Sequence, residues 1–154
     1  MRVNEFLRLV VEGTRPQLPA RWRAFHIRSR FTLVQLYYAK RTVHYEVWIR
    51  GKERFIEIGL HFESDRETNA SLLNFFSEHA FEIKDSLGDQ VEIEQWTASW
   101  TRVHQLLAYE RLDEATASES ADRMAKMITV LQPMLERAQA RGLKRMLGQL
   151  KERL

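Results

Sequence analysis

Cysteine is absent from this 154-residue chain. Its absence excludes disulfides, thiolate zinc sites and cysteine nucleophiles, and with them the zinc deaminases, whose metal needs Cys ligands. Proline (3) and glycine (6) are scarce, which excludes collagen-like and low-complexity chains. No apolar run approaches the ~20 residues of a membrane-spanning helix, so no membrane partner is expected. The opening Met1-Arg2-Val3-Asn4-Glu5-Phe6 carries charges where a signal peptide has its apolar core. A cytoplasmic, bacterial-type protein is the expectation. Also missing are a Gly-x-Ser-x-Gly elbow, a Gly-x-Gly-x-x-Gly turn and a Gly-rich phosphate loop with Lys. No cofactor and no catalytic residue is therefore assigned.

What is present suits a folded domain: 44% hydrophobic and 29% charged residues. The net charge of +3 hides a segregation. Met1 to Arg54 holds 12 Lys+Arg against 4 Asp+Glu, Phe55 to Asp122 holds 4 against 15, and Arg123 to Leu154 holds 8 against 2. Basic and acidic blocks of this kind either pair with each other, within a chain or across a dimer, or present a surface to a charged partner. Exposed pairs contribute only about 0–1 kcal/mol each, so they orient more than they stabilise.

Periodicity supplies the elements. Residues 2–12 read as a helix with Phe6, Leu7, Val10 and Val11 on one stripe and Gly13 as its stop. Residues 14–20, with Pro16 and Pro19, form a turn, and 21–30 a basic strand or arm. Strands follow at 31–38, 43–49 and 54–62. In the last two, Val43, Tyr45, Val47, Ile49 and Ile56, Ile58, Leu60, Phe62 alternate onto one face, making a self-consistent hairpin around a turn relaxed by Gly51. Ser64 and Glu67 match a capping box for a helix whose stripe is Ala70, Leu73, Phe76, Ala80, Ile83 and Leu87, closed by Gly88. Strands at 91–96 and 100–110 follow. A last helical pattern carries Ala121, Met124, Ala125, Ile128, Leu131 and Leu135, with Pro133 as kink or break. A second stripe begins after Gly142. The expected fold class is α+β: an antiparallel sheet of about five strands with helices packed on one face, in the order α-β-β-β-α-β-β-α-α. Residues 1–137 form the domain, and 138–154 a C-terminal amphipathic basic helix.

The runs His44-Tyr45-Glu46 and Ile56-Glu57-Ile58-Gly59-Leu60-His61-Phe62, then Asn69, Trp96 and Leu131-Gln132-Pro133-Met134-Leu135, resemble an uncharacterised bacterial domain family of unknown function. Its members occur alone or attached to restriction-endonuclease-like proteins. The resemblance spans roughly residues 30–137 and implies a role near DNA or defence systems; it carries no catalytic residue across.

Three candidate sites emerge. His44, Glu46, Glu57 and His61 share the polar face of the hairpin, with His44 opposite His61, and imidazole with carboxylate is a donor set for a transition ion. Arg21, Arg23, Arg28, Arg30, Lys40 and Arg41, interleaved with Trp22, Phe25 and Tyr37, combine cations and stacking groups as nucleic-acid surfaces do. Leu143, Met146, Leu147, Leu150 and Leu154 make an apolar stripe on a short helix that must dock, and a homodimer interface is the expectation. A nuclease-like set of Asp65 with Glu82-Ile83-Lys84 fails on geometry, because a helix separates its parts. Together these features predict a non-enzymatic interaction module, homodimeric, binding a protein or nucleic-acid partner. The alternative is a metal-dependent or small-ligand-binding enzyme working from the His44/Glu46/Glu57/His61 face.

Overall fold

The alternating hairpin becomes the centre of the sheet. β3 (Val43–Arg50) and β4 (Phe55–Phe62) pair antiparallel with His44 opposite His61 and Glu46 opposite Gly59. The computed structural model, describing residues 1–154, surrounds them with β1 (His26–Arg30), β2 (Leu33–Tyr37), β5 (Glu92–Gln95) and β6 (Thr101–Ala108). The six strands are antiparallel in the order β1-β2-β3-β4-β6-β5. The α+β class and the antiparallel sheet stand as expected. The sixth strand is β1, which comes from the basic segment left open between strand and arm.

Four α-helices complete the chain: α1 (Val3–Thr14), α2 (Arg66–Glu78), α3 (Ala80–Leu87) and α4 (Glu114–Glu152). The element order is thus α-β-β-β-β-α-α-β-β-α, with two short 3-10 turns after α1. Tyr45, Val47, Ile56, Ile58, Leu60, Phe62 and Val103 enter one core cluster with Phe6 and Val10 of α1 and Met124, Ile128 and Leu131 of α4. The apolar set of the sheet is therefore covered by helices, as its alternation requires. A Cβ on Gly13 would come within 3.0 Å of the Ala121 Cβ, so two small residues let α1 and α4 approach closely. Gly13 lies inside α1 and does not end it.

Other local expectations are corrected. Asp65, rather than Ser64, caps α2 by accepting from the Thr68 amide. The helical run breaks at His79 into α2 and α3, and the buried positions of α2 are Asn69, Leu72, Phe75 and Phe76. The positive φ of the β3–β4 turn falls on Arg54 (59°) and not on Gly51. Gly88 does take the left-handed φ of 106° as the cap of α3. Pro133 neither ends nor splits α4, which runs 39 residues without interruption. One missing amide donor is tolerated where Leu131, Gln132, Met134 and Leu135 are all buried around it. The tail after Gly142 is thus the projecting end of α4, not a separate helix.

Candidate metal centre

Pairing register decides what shares the second sheet face, because directly paired residues point the same way. Row by row this face carries Arg28, Gln35, Glu46, Gly59 and His104, and beside them His44, His61, Arg102 and Glu94. Trp48 and Phe55 on the alternating polar face already point to partial cover, and His44, Glu46, Glu57, His61 and His104 are all buried. They bury one another, and the ring of Trp96 stands edge-on against His61 at 5.5 Å between centroids. The Arg102 guanidinium lies over that indole at 4.8 Å.

His44 and His61 stack at 5.5 Å between ring centroids. Each is followed two residues later by a glutamate on the same face, Glu46 and Glu63. The hairpin thus repeats His-x-Glu on both of its strands. The nearest ligating atoms of His44, Glu46, His61 and Glu63 all lie within 4.8 Å of one another. His44 Nε2 is 3.3 Å from Glu46 Oε2 and 3.5 Å from Glu63 Oε2, and His61 Nδ1 is 3.3 Å from Glu63 Oε2.

The outer hydrogen bonds orient both imidazoles. His44 Nδ1 lies 2.7 Å from the Arg41 carbonyl oxygen, which only accepts, so Nδ1 carries the proton and Nε2 keeps its lone pair toward the cluster. The Gln35 amide donates to Glu46 Oε2 at 3.0 Å and lies 3.1 Å from that Nε2. His61 Nε2 donates to Glu57 Oε1 at 3.1 Å, which leaves Nδ1 turned toward Glu63, buried and without a hydrogen-bond partner. Carboxylate–histidine pairs of this kind fix the tautomer of a metal-ligating ring and raise its basicity.

Glu57 therefore does not belong in the quartet where the alternation of β4 put it. Arg102 Nη1 donates to the same Glu57 Oε1 at 2.9 Å, and Arg102 Nη2 to Glu94 Oε1 at 2.8 Å. His104 Nε2 donates to Glu94 Oε1 at 2.8 Å. Glu57 is a supporting group behind His61. The residue overlooked from sequence is Glu63, and the repeated His-x-Glu spacing is the signal that marks it.

Charge in the cluster is balanced by position. Burial works to raise the Glu46 carboxyl, but His44, His61 and Gln35 together hold it below the usual carboxylate range. Burial acts likewise on Glu57 and is outweighed by His61, Arg102 and His104. His61 is opposed by burial, yet Glu57, Glu63 and Glu46 push it up to about 9. His104 goes the other way, lowered by burial and by the Arg102 charge. One imidazolium thus sits between carboxylates where a cation is favoured.

The other candidates are dispersed differently. Arg21 lies over the Trp22 ring, and Arg23 donates to the Leu18 and Pro16 carbonyls, so both serve the turns after α1. Arg28 and Arg30 lie on β1, Arg28 within reach of the Arg41 charge and Arg30 at the opposite end of the strand from the β2–β3 turn that carries Lys40 and Arg41. Asp65 spends its carboxylate on Thr68, and Glu82 lies on α3. Leu143, Met146, Leu147, Leu150 and Leu154 are all exposed. No helix is long and apolar enough to cross a membrane. Comparison with protein-family models, curated proteins and solved structures gives no match to this chain.

Proposed function

We propose that this chain is a metal-holding interaction module in which His44, Glu46, His61 and Glu63 bind one divalent transition ion. The observation that carries it is the convergence of four ligand atoms within 4.8 Å around a buried His61 Nδ1 that has no hydrogen-bond partner. Two imidazoles and two carboxylates suit zinc, manganese or iron(II) better than calcium or magnesium, which prefer oxygen alone. Four protein ligands under a tryptophan resemble a closed structural centre, whereas catalytic centres keep a position open. The ion would tie the two central strands together, and its role is binding and rigidity rather than turnover. Metal analysis of untagged protein, reconstituted with each ion and dialysed, is the test. About one equivalent should be retained and lost in His44→Ala/His61→Ala. Glu63→Gln should lose the ion, while Glu57→Gln keeps it with roughly 10–100-fold weaker affinity. Equal retention by wild type and the double variant overturns the proposal.

A second observation favours self-association. Leu143, Met146, Leu147 and Leu150 on the end of α4 are each 48–53% exposed, and their 3–4 spacing is a coiled-coil seam. The same helix end carries Arg137, Arg141, Lys144, Arg145, Lys151 and Arg153, while the acidic residues concentrate between Phe55 and Asp122. A second copy of this chain supplies both an apolar seam and the opposite charge. Sedimentation of the full chain and of a truncation after Ala140 tests it. A dimer weakened by the truncation supports this reading; a full-length monomer at high concentration, or an equally dimeric truncation, refutes it.

A further inference from the structure

We infer that the β1–β2 hairpin and the adjoining β2–β3 turn form a binding site for single-stranded nucleic acid, with Arg28, Arg30, Lys40 and Arg41 on phosphates and Phe31 stacked on a base. The site is separate from the His/Glu quartet and does not depend on a metal there.

The first observation is an excess of unpaired cations. Each carboxylate-paired arginine of the chain lies elsewhere; Arg28, Arg30, Lys40 and Arg41 make no salt bridge. Arg28 and Arg30 stand on the same face of β1, two residues and so about 7 Å apart. Arg28 is held below its ordinary range by desolvation and by the charges of Arg30 and Arg41. Of the nearby carboxylates on this face, Glu46 is engaged by Gln35 and His44, and Glu63 by the two histidines. Arg28 thus stands between like charges, Arg30 toward one end of the hairpin and Arg41 toward the other, and an external polyanion running along the strand relieves that repulsion.

The second observation is Phe31. It occupies the two-residue turn between β1 and β2, is 97% exposed, and has φ of 39°. Positive φ is uncommon outside Gly, Asn and Asp, and for a bulky residue it marks strain. A positive φ at the first position alone of a two-residue hairpin turn is ordinarily supplied by Gly. A large aromatic held outward on a strained turn beside Arg30 stacks on no other ring of its own chain. It is presented to something outside. At the other end of the hairpin, beside the β2–β3 turn, the His26 and Tyr37 rings lie at 5.2 Å as a second stacking surface on the face that Arg28 shares.

The third observation is access. β1 ends the sheet, so no strand covers its outer edge, and its own residues are exposed apart from Arg28. On the helix side of the same hairpin, Leu7, Val11, Ile27, Val34 and Phe31 line a groove of about 420 Å³ whose rim carries Arg15, Arg30 and Glu12, the last neutralised by Arg8 at 2.8 Å. A flat base fits an apolar slot with cations at its mouth. Only an unstacked base reaches such a slot, which selects a single strand over a duplex.

Fluorescence anisotropy with labelled mixed-sequence 12-mers of single-stranded DNA and RNA, on the full chain, reads the site. Four phosphate contacts give a logarithmic salt slope near −2.8, so raising salt from 50 to 200 mM should weaken binding about 50-fold. Arg28→Gln/Arg41→Gln should reduce that slope by about 1.4. Phe31→Ala should weaken binding at least fivefold with the slope unchanged, the signature of lost stacking. Lys151→Gln/Arg153→Gln, at the far end of α4, should bind as wild type. Circular dichroism of each variant confirms the fold, since all five positions are solvent-facing or partly so. No binding at 50 mM salt overturns the inference. So does equal affinity for duplex with Phe31→Ala indifferent, which would be unspecific attraction. Displacement by polyglutamate as effective as by unlabelled strand would instead assign the surface to an acidic protein segment.

Discussion

Gly59 is the one position on the sheet where adding a single methyl should be felt both as instability and as damage to the polar face. It lies opposite Glu46 on β3 and opposite His104 on β6, in the middle of two eight-residue pairings. A Cβ built there meets the His104 Cβ at 2.8 Å and the Val103 carbonyl oxygen at 3.0 Å. Carbon atoms reach their optimum at about 3.5–4.0 Å, so β4 and β6 must part locally by close to 1 Å. Neither neighbour is the loose end of a flexible side chain, and β3 blocks retreat on the other side. Overpacking of this kind costs about 1–3 kcal/mol. Replacing glycine restricts the unfolded chain and returns about 0.4–1 kcal/mol. A net loss of about 1–2 kcal/mol remains for Gly59→Ala, or a Tm lower by roughly 2–8 °C in a domain of this size. Urea unfolding should show a lower midpoint with unchanged slope. Gly51→Ala is the control, because nothing lies within 4 Å of its Cβ. Gly59→Ala as stable as wild type, or Gly51→Ala equally damaging, would refute the steric reasoning.

Tyr45→Phe should destabilise by about 1–2 kcal/mol, because the buried Tyr45 hydroxyl donates to Gln132 Oε1 at 3.0 Å and its loss strands a buried amide; chemical denaturation reads it, and an unchanged midpoint refutes it. His61 supplies a pH dependence in metal-stripped protein. Its folded value of about 9 lies above the ordinary 6.5, so its stabilisation is complete below pH 6.5 and is lost as pH rises through about 9. The drop in unfolding free energy should be up to about 3 kcal/mol and absent in His61→Gln; stability that is flat or rising over that window contradicts the assignment. Metal binding should release protons in the same window, measurable by calorimetry in buffers of different ionisation enthalpy, because the ion displaces the His61 proton.

The hairpin at the centre of this protein was legible residue by residue. Alternation with period two is a property of the extended backbone itself, so Val43 to Phe62 announced both faces and the pairing of His44 with His61 before any tertiary contact was known. The stripe of Phe6, Leu7, Val10 and Val11 was legible for the same local reason, and all four are buried. Helix continuity was not. Pro133 read as a kink or break and Gly142 as the start of a separate helix because local propensity weighs each residue alone, whereas packing of residues 131–135 against the domain carries α4 on as one helix.

The candidate centre divides along the same line. Which residues share a face follows from the chain; which of them converge does not. Glu57 stands four residues before His61 and Glu63 two after it, and alternation alone puts both on its face without ranking them. Arg102, brought beside β4 only by the placement of β6, draws Glu57 away, and Glu63 closes on the histidines instead. Trp48 and Phe55 on that face pointed to partial cover, but what covers His61 was out of reach, since Trp96 arrives from a segment 35 residues beyond it. Short-range backbone geometry determined the faces and the hairpin register; the strand order β4-β6-β5, and with it the charges that sort ligand from support, was decided only when distant strands met.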